Sequence, residues 1–260
     1  MGLDIYAGKL TRYYCHNWKT MLQKTVEEMG MDFEIKTPEG VLTSIDDKNE
    51  VEQTRNIVCQ WRDWIGRKID NSLPEPLWDE DNGGDYYTDK PNWMAYEALV
   101  MLQVCCLMDS SLPEYVETGW TVFDEPIAEE AFSSDFGNQN SLVAITECWL
   151  PISMSIIFET ELPTERKTTM STVQQLKYEL EELNRQLWNA DEETILSWRN
   201  DKYYIPLGPE KSVFGFKFLR KSKSKKERFR TEDLAQSAYS ILYQAVKFAE
   251  KHNVPIILDY

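Results

Sequence analysis

Histidine is scarce in this chain: His16 and His252 are the only two among 260 residues. Neither has neighbours that suggest catalysis or metal binding. Cys15 and His16 are adjacent, and adjacent residues on a strand point to opposite faces, which disfavours a Cys–His nucleophile pair. His252 is expected in the last turn of a helix, where a cation suits the dipole. The five cysteines, Cys15, Cys59, Cys105, Cys106 and Cys148, are odd in number and fit no zinc spacing. They read as reduced, mostly structural thiols, which places the protein in the cytoplasm. No metal site or cofactor is expected. The opening MGLDIYAGKLTRYY lacks the basic start, apolar block and small-residue site of a signal peptide. The most apolar run, Trp93 to Met108, is too short to span a bilayer and is interrupted by Glu97 and Gln103. Two motif fragments fail for want of partners. Gly8-Lys9 has no earlier glycine and is followed by Leu10, so it is no phosphate-binding loop. Asp135-Phe136-Gly137 has neither a glycine-rich loop nor an HRD to accompany it.

What the chain does have is apolar and aromatic mass. Hydrophobic residues make up 42% of it, with nine Trp and thirteen Tyr. That suffices for a core without disulfide or metal staples. The formal net charge is −16 and is uneven. Residues 1–150 hold 11 Lys and Arg against 28 Asp and Glu, a net −17, and residues 151–260 hold 17 against 16, a net +1. An acidic field repels nucleic acid and anionic membranes and draws basic partners. We read a single globular domain with an acidic first part and a near-neutral second part.

Periodicity outlines the elements. Leu3, Ile5 and Ala7 alternate with Asp4, Tyr6 and Gly8, the pattern of a half-buried strand. Helices are expected over Trp18–Met29, closed by Gly30, and over Asn49–Ile69, with Val51, Val58, Trp61, Ile65 and Ile69 on one face. Asn92–Asp109 is apolar on nearly every face and reads as the central core helix. A short helix is expected near Ile127–Phe132. A strand is expected from about Ser153, closed by Pro163. In the helix Thr172–Trp188, Val173, Leu176, Leu180, Leu183 and Leu187 form a narrow stripe. It suits an internal helix seam, or a weak dimer of an otherwise monomeric protein. A strand is expected over Ser212–Leu219, then a solvated basic loop from Arg220 to Arg230. Thr231 is expected to cap the last helix, ended by Asn253. Pro255 must sit at the start or on an edge of the closing strand. The fold expected is α+β: a small, mainly antiparallel sheet that includes the N- and C-terminal strands, packed by about five helices.

Three clusters are candidates for function. Arg12, Tyr13, Tyr14, His16, Asn17 and Trp18 follow the first strand, and loops after strands often bind ligands. Asp4 and Asp259 each follow a leucine in a terminal strand; if those strands pair, the carboxylates share a face and one pKa rises. The acidic loop from Asp79 fails as an EF-hand, because its fifth position is Gly83 and its twelfth is Lys90, leaving only a looser cation site at Asp79, Asp81 and Asp85.

The segments MGLDIYAGKLTRYY, WLPIS and PIILDY are similar to those of bacterial proteins of this length. The resemblance covers the ends of the chain and implies no activity and no site. The reading that follows is a non-catalytic, acidic protein-binding protein of bacteria, of the immunity or inhibitor type, that meets a basic protein partner. The alternative is a carboxylate- or metal-dependent hydrolase using Asp4 and Asp259.

Overall fold

The computed structural model describes residues 3–31, 36–37, 40–41, 44–199 and 227–260. Its centre is a six-stranded mixed sheet in the order β4-β1-β10-β6-β8-β7. The strands are β1 (Asp4–Ala7), β4 (Tyr87–Asp89), β6 (Cys148–Leu150), β7 (Ile157–Glu161), β8 (Lys167–Thr172) and β10 (Ile256–Asp259). Every neighbouring pair is antiparallel except β6 and β8. Two small antiparallel pairs stand apart: β2 (Lys36–Thr37) with β3 (Gly40–Val41), and β5 (Tyr115–Glu117) with β9 (Arg228–Arg230). The fold is therefore mixed α/β, with a larger and less uniformly antiparallel sheet than the sequence suggests. It also has eight α-helices among the described residues rather than about five.

Helices cover both sheet faces. On one side, α4 (Trp93–Leu107), α6 (Val173–Leu187) and α8 (Thr231–His252) pack on Leu3, Ile5, Ala7, Trp149, Ile256 and Leu258. On the other, α1 (Leu10–Tyr14) and α3 (Lys48–Ile69) bring Leu10, Val58, Trp61 and Ile65 onto Cys148, Leu150 and Ile257. This sandwich corrects the half-buried reading of the first strand: Asp4, Ile5, Tyr6 and Ala7 are all buried. Alternation of apolar and polar residues signals solvent on one face only when nothing packs there. The remaining helices are α2 (Met21–Glu28), α5 (Pro126–Phe132) and α7 (Glu192–Ser197). Among the described residues, no helix is long and apolar enough to cross a membrane.

Local signals explain most helix ends. Asp47 caps α3 through the Asn49 and Glu50 amides, Asn92 caps α4, and Thr172 caps α6. Asn253 takes the left-handed conformation that ends α8. Thr231 does not cap α8. It is the first helical residue, and its Oγ1 is buried without a partner. The N-cap is Arg230, which makes no side-chain cap bond, because strand β9 runs directly into the helix. Within the stretch expected as a strand from about Ser153 to Pro163, the strand is β7, which starts later, at Ile157; β6 precedes that stretch and β8 follows it. Ser212–Leu219 and residues 220–226 of the basic run lie outside the described residues. The end of that run, Arg228–Arg230, is a strand paired with β5 and not a loop.

The leucine stripe on α6 is an internal seam. Val173, Leu176, Leu180 and Leu183 are buried in the chain's own core, where α6 packs on α8. Only Leu187 is open, at 43% exposure. A dimer cannot use side chains that the fold has already covered.

Candidate functional site

The turn from β1 into α1 sets the site. Gly8 bends between two rings: a Cβ there would lie 2.5 Å from the Tyr6 hydroxyl and 3.0 Å from the Tyr86 Cβ. Tyr6 donates its hydroxyl proton to the Lys9 carbonyl at 2.9 Å. A five-residue helix has little stability of its own. Here its free N-terminal amides are held by a distant carboxylate. Glu80, 4% exposed, accepts from the Leu10 and Thr11 amides at 3.0 and 2.8 Å, from the Thr11 hydroxyl at 2.9 Å and from the Trp78 indole at 2.6 Å. The loop carrying Glu80 is tied to α3 by Arg55 Nε on the Glu80 carbonyl (2.8 Å) and by an Arg62 guanidinium nitrogen on the Trp78 carbonyl (2.6 Å).

With α1 fixed, a cleft of about 450 Å³ opens beside it, walled by Arg12, Tyr13, His16, Trp18, Tyr86 and Asp259. It thus gathers most of the polar–aromatic cluster singled out in the sequence, together with Asp259 from the far end of the chain. Tyr14 does not join it. That residue lines an adjoining cleft of about 370 Å³ with Glu147 and Arg166, and Tyr13 and Asp259 form the wall between the two. In this second cleft Arg166 lies 2.6 Å from a Glu147 oxygen, and Thr168 donates to the same oxygen at 2.8 Å. Burial alone would raise the Glu147 carboxyl, but the bonds from Arg166, Tyr260 and Thr168 outweigh it and hold the carboxyl below its ordinary value.

Aromatic rings pack against one another along the first cleft. Tyr6 sits 5.4 Å from Tyr13, 5.0 Å from Trp18 and 5.8 Å from Tyr86, centroid to centroid. Trp18 stacks on Tyr13 at 5.8 Å. Such pairs add about 0.5–1.5 kcal/mol each beyond their buried area.

The charged side chains around the cleft differ in their partners. Arg12 donates from Nε to the Asn17 carbonyl at 2.7 Å and from a guanidinium nitrogen to the Gly84 carbonyl, and stacks 4.5 Å from the Tyr86 centroid. Lys24 lies 4.4 Å from the same ring. Lys19 is ion-paired with Glu27 at 2.6 Å. Asp259 differs. Its Oδ1 accepts from the Tyr13 hydroxyl at 2.7 Å, and among the described residues it has no ion pair. Burial, with Asp259 adding to it, pushes the Tyr13 phenol far up, so it stays protonated and donates. His16, at φ 54°, closes α1 in the left-handed conformation. Desolvation lowers its imidazole pKa, and Asp259 opposes that shift without cancelling it. Below about pH 6.5 the unfolded chain binds a proton that folded His16 resists, so this residue's contribution to stability falls as pH drops. In an NMR titration His16 should titrate below the ordinary value, and lower still in Asp259→Asn. A His16 midpoint unchanged by that substitution would show the two side chains to be uncoupled.

Asp4 stands directly opposite Asp259 in the β1–β10 register, so both side chains share one sheet face. Their surroundings separate them. Asp4 is 7% exposed, its Oδ2 lies 3.2 Å from Lys90 Nζ, and its Oδ1 is buried without a partner. Burial holds its carboxyl above the ordinary value; Lys90 opposes this, and Asp259 and Asp89 add to it. It is not among the walls of either cleft, whereas Asp259 lines both. In the acidic loop, Asp81 pairs with Lys9 and accepts from the Gly83 amide at 2.6 Å, and Asp79 and Asp85 are exposed. Among the described residues, no three His, Cys, Asp or Glu side chains are placed to hold a metal ion. His252 stacks on Phe248 at 4.2 Å in the last turn of α8.

Tyr6, Tyr86 and Glu80 escaped the sequence reading. Tyr86 follows the acidic loop in Asp85-Tyr86-Tyr87, and nothing local marks it as facing residue 12. The Thr20–Gln23 capping box was legible: Thr20 accepts from the Gln23 amide at 3.2 Å and Gln23 returns the bond at 2.7 Å. It starts α2 at Met21 rather than Trp18, leaving Trp18 free to pack on Tyr13. Compared with protein-family models, curated proteins and solved structures, the chain has no significant match.

Proposed function

We propose that this is a non-catalytic binding protein, of the immunity or inhibitor type, that receives a basic segment of a protein partner and seats a lysine or arginine side chain against Asp259. Asp259, a carboxylate with no ion pair among the described residues, carries the reading. Arg12, Lys19 and Lys24 already have carbonyl, carboxylate or ring partners, while among the described residues Asp259 has only the neutral Tyr13 hydroxyl. The acceptor left to a visitor's donor is therefore the Asp259 carboxylate, and aromatic walls suit the apolar stem of a long cationic side chain. The net −17 of residues 1–150 adds long-range attraction that speeds encounter.

The test is titration of the protein with hexa-arginine and with hexa-glutamate by calorimetry, at low and at physiological salt. Hexa-arginine should bind and hexa-glutamate should not. Asp259→Asn should weaken hexa-arginine binding about tenfold or more, the loss expected of one charge-assisted hydrogen bond. Diffuse attraction to a chain of net charge −16 would scarcely notice one charge fewer. Equal affinity of Asp259→Asn and the wild type would sink the reading.

A carboxylate-dependent hydrolase keeps one observation in its favour, the facing of Asp4 and Asp259 across the strand pair. It requires Asp4 to reach a substrate. Under that reading Asp4→Asn abolishes an activity; under ours it leaves hexa-arginine binding unchanged.

A further inference from the structure

β7 is an edge of the six-stranded sheet, and its neighbours fix which way its backbone groups point. Leu162, just past the strand, donates its amide to the Arg166 carbonyl at 2.9 Å and so faces the β8 side. Bonding direction alternates along an antiparallel pair, which turns Thr160 and Phe158 towards β8 and Glu161, Glu159 and Ile157 away from it. Two further bonds agree. Glu147, the residue before β6, donates its amide to the Thr169 carbonyl at 3.2 Å, so Thr169, opposite Glu159 in the register, points away from β7. The Glu161 carbonyl accepts from the Trp61 indole of α3 at 2.7 Å. From there back to Ile157 the edge is open. Among the described residues, nothing bonds to the outward amides and carbonyls of Ile157 and Glu159.

An open edge is a template for another strand, and proteins normally blunt it. The opposite edge, β4, has three residues, two of them buried. β7 has five, IFETE, without Pro or Lys, and its register with β8 is unbroken by a bulge. What it carries is acid. Glu159 and Glu161 are both exposed and lie two positions apart, so they project from the same sheet face. Across β8 they stand opposite Thr169 and Lys167, and among the described residues neither closes an ion pair. These charges select the occupant. A second copy of this chain paired about Glu159 would set Glu159 against Glu159, and a net charge of −16 on each copy repels the other. A basic strand meets the same carboxylates with cations.

We propose that the β7 edge is a docking surface for an extended basic segment of a protein partner, which adds as an antiparallel strand along Ile157 and Glu159. The added strand exchanges amide and carbonyl bonds with those two residues. Directly opposite residues share a face. In its own direction the segment therefore reads basic, any, basic, any, apolar, with cations opposite Glu161 and Glu159 and an apolar side chain opposite Ile157. The edge lies three strands from β10, about 14 Å by strand spacing. This surface goes beyond the Asp259 cleft and does not depend on the function proposed for it.

The probe is the acetylated, amidated heptapeptide TKTKTVT, titrated into the full chain and followed by amide NMR. The Ile157 and Glu159 amide signals should shift and their exchange with solvent should slow, with a dissociation constant on the order of 1 mM. TETETVT, of the same shape and opposite charge, should bind at least about tenfold more weakly. A methyl on the amide nitrogen of the second lysine, which faces Glu159, should weaken TKTKTVT about tenfold; on the threonine after it, whose N–H points away, it should cost about twofold at most. Glu159→Lys changes an exposed side chain and should reverse the preference in favour of TETETVT. Asp259→Asn should leave TKTKTVT binding unchanged, which keeps a failure here distinct from a failure of the cleft reading. Three results would overturn the proposal. One is no shift at Ile157 and Glu159 with peptide at roughly ten times the expected dissociation constant. Another is equal loss from the two methylations, which would make the attraction diffuse and the glutamates only guards of the edge. The third is movement of the Ile157 and Glu159 signals with protein concentration before any peptide is added, which would give the edge to a second copy.

Discussion

Glu80→Ala is expected to cost about 3–5 kcal/mol of folding stability, the range for breaking one side of a buried, hydrogen-bonded charge, and to remove hexa-arginine binding with it. The substitution strands four buried donors at once: two amides at the start of α1, the Thr11 hydroxyl and the Trp78 indole. Leaving a buried donor unpaired costs about 1–3 kcal/mol. The first turn of α1 has no other cap, since Lys9 makes no side-chain cap bond. Arg12, Tyr13 and Tyr14 all ride on that helix, so the cleft should lose its shape before the domain loses its fold. Urea titration gives the stability, and the same peptide calorimetry gives the binding. Glu80→Gln keeps one acceptor oxygen and should fall between Glu80→Ala and the wild type. A cost below about 1 kcal/mol for Glu80→Ala would show that water replaces the carboxylate without difficulty.

Glu179→Leu should be as damaging, by about 3–5 kcal/mol, but without touching the Asp259 cleft directly. Its carboxylate anchors the turn at Ser141 and Leu142 to α6, and the Ser141 hydroxyl in turn accepts from the buried Trp149 indole at 3.0 Å. Removing it unpairs that network where α6 meets the turn leading into β6. The residue also has a pH signature. Burial raises the Glu179 carboxyl above its ordinary value, and the bonds from Ser141, Gln175 and Leu142 only partly oppose this. Folded protein therefore holds a proton that unfolded protein has released, over the window from the ordinary carboxylate pKa up to the raised one. Stability falls as pH rises through that window. Glu179→Gln, which cannot ionise, should flatten that slope in urea midpoints measured from about pH 4 to pH 8. An identical slope in wild type and variant would assign the pH dependence to other groups.

Some of the molecule was legible residue by residue. The Val58, Trp61 and Ile65 spacing drew α3, the unbroken apolar run drew α4, and Asn253 marked the end of α8, because a helix face and a helix end are decided within a turn or two. Short strands were harder. β4, β5 and β6 have three residues each, and β8 carries Lys167-Thr168-Thr169, which has no apolar alternation. Their place is set by the strand beside them, so their own composition says little. The polar–aromatic cluster after β1 stood out because six such residues fall together in the chain. Its partners Tyr86 and Glu80 did not, being about seventy residues away.

By itself, then, the sequence determined the longer helices, the pairing-competent strands at the two ends and the concentration of acid in residues 1–150. Tertiary structure alone decided that both sheet faces are buried, that the α6 stripe faces inward and that Asp259, rather than Asp4, reaches the cleft. Tyr13 and Asp259 meet across 246 positions of chain. A bond of that kind depends on how the whole sheet closes, and no periodicity within either strand encodes which of two facing carboxylates will meet the open space and which will meet Lys90.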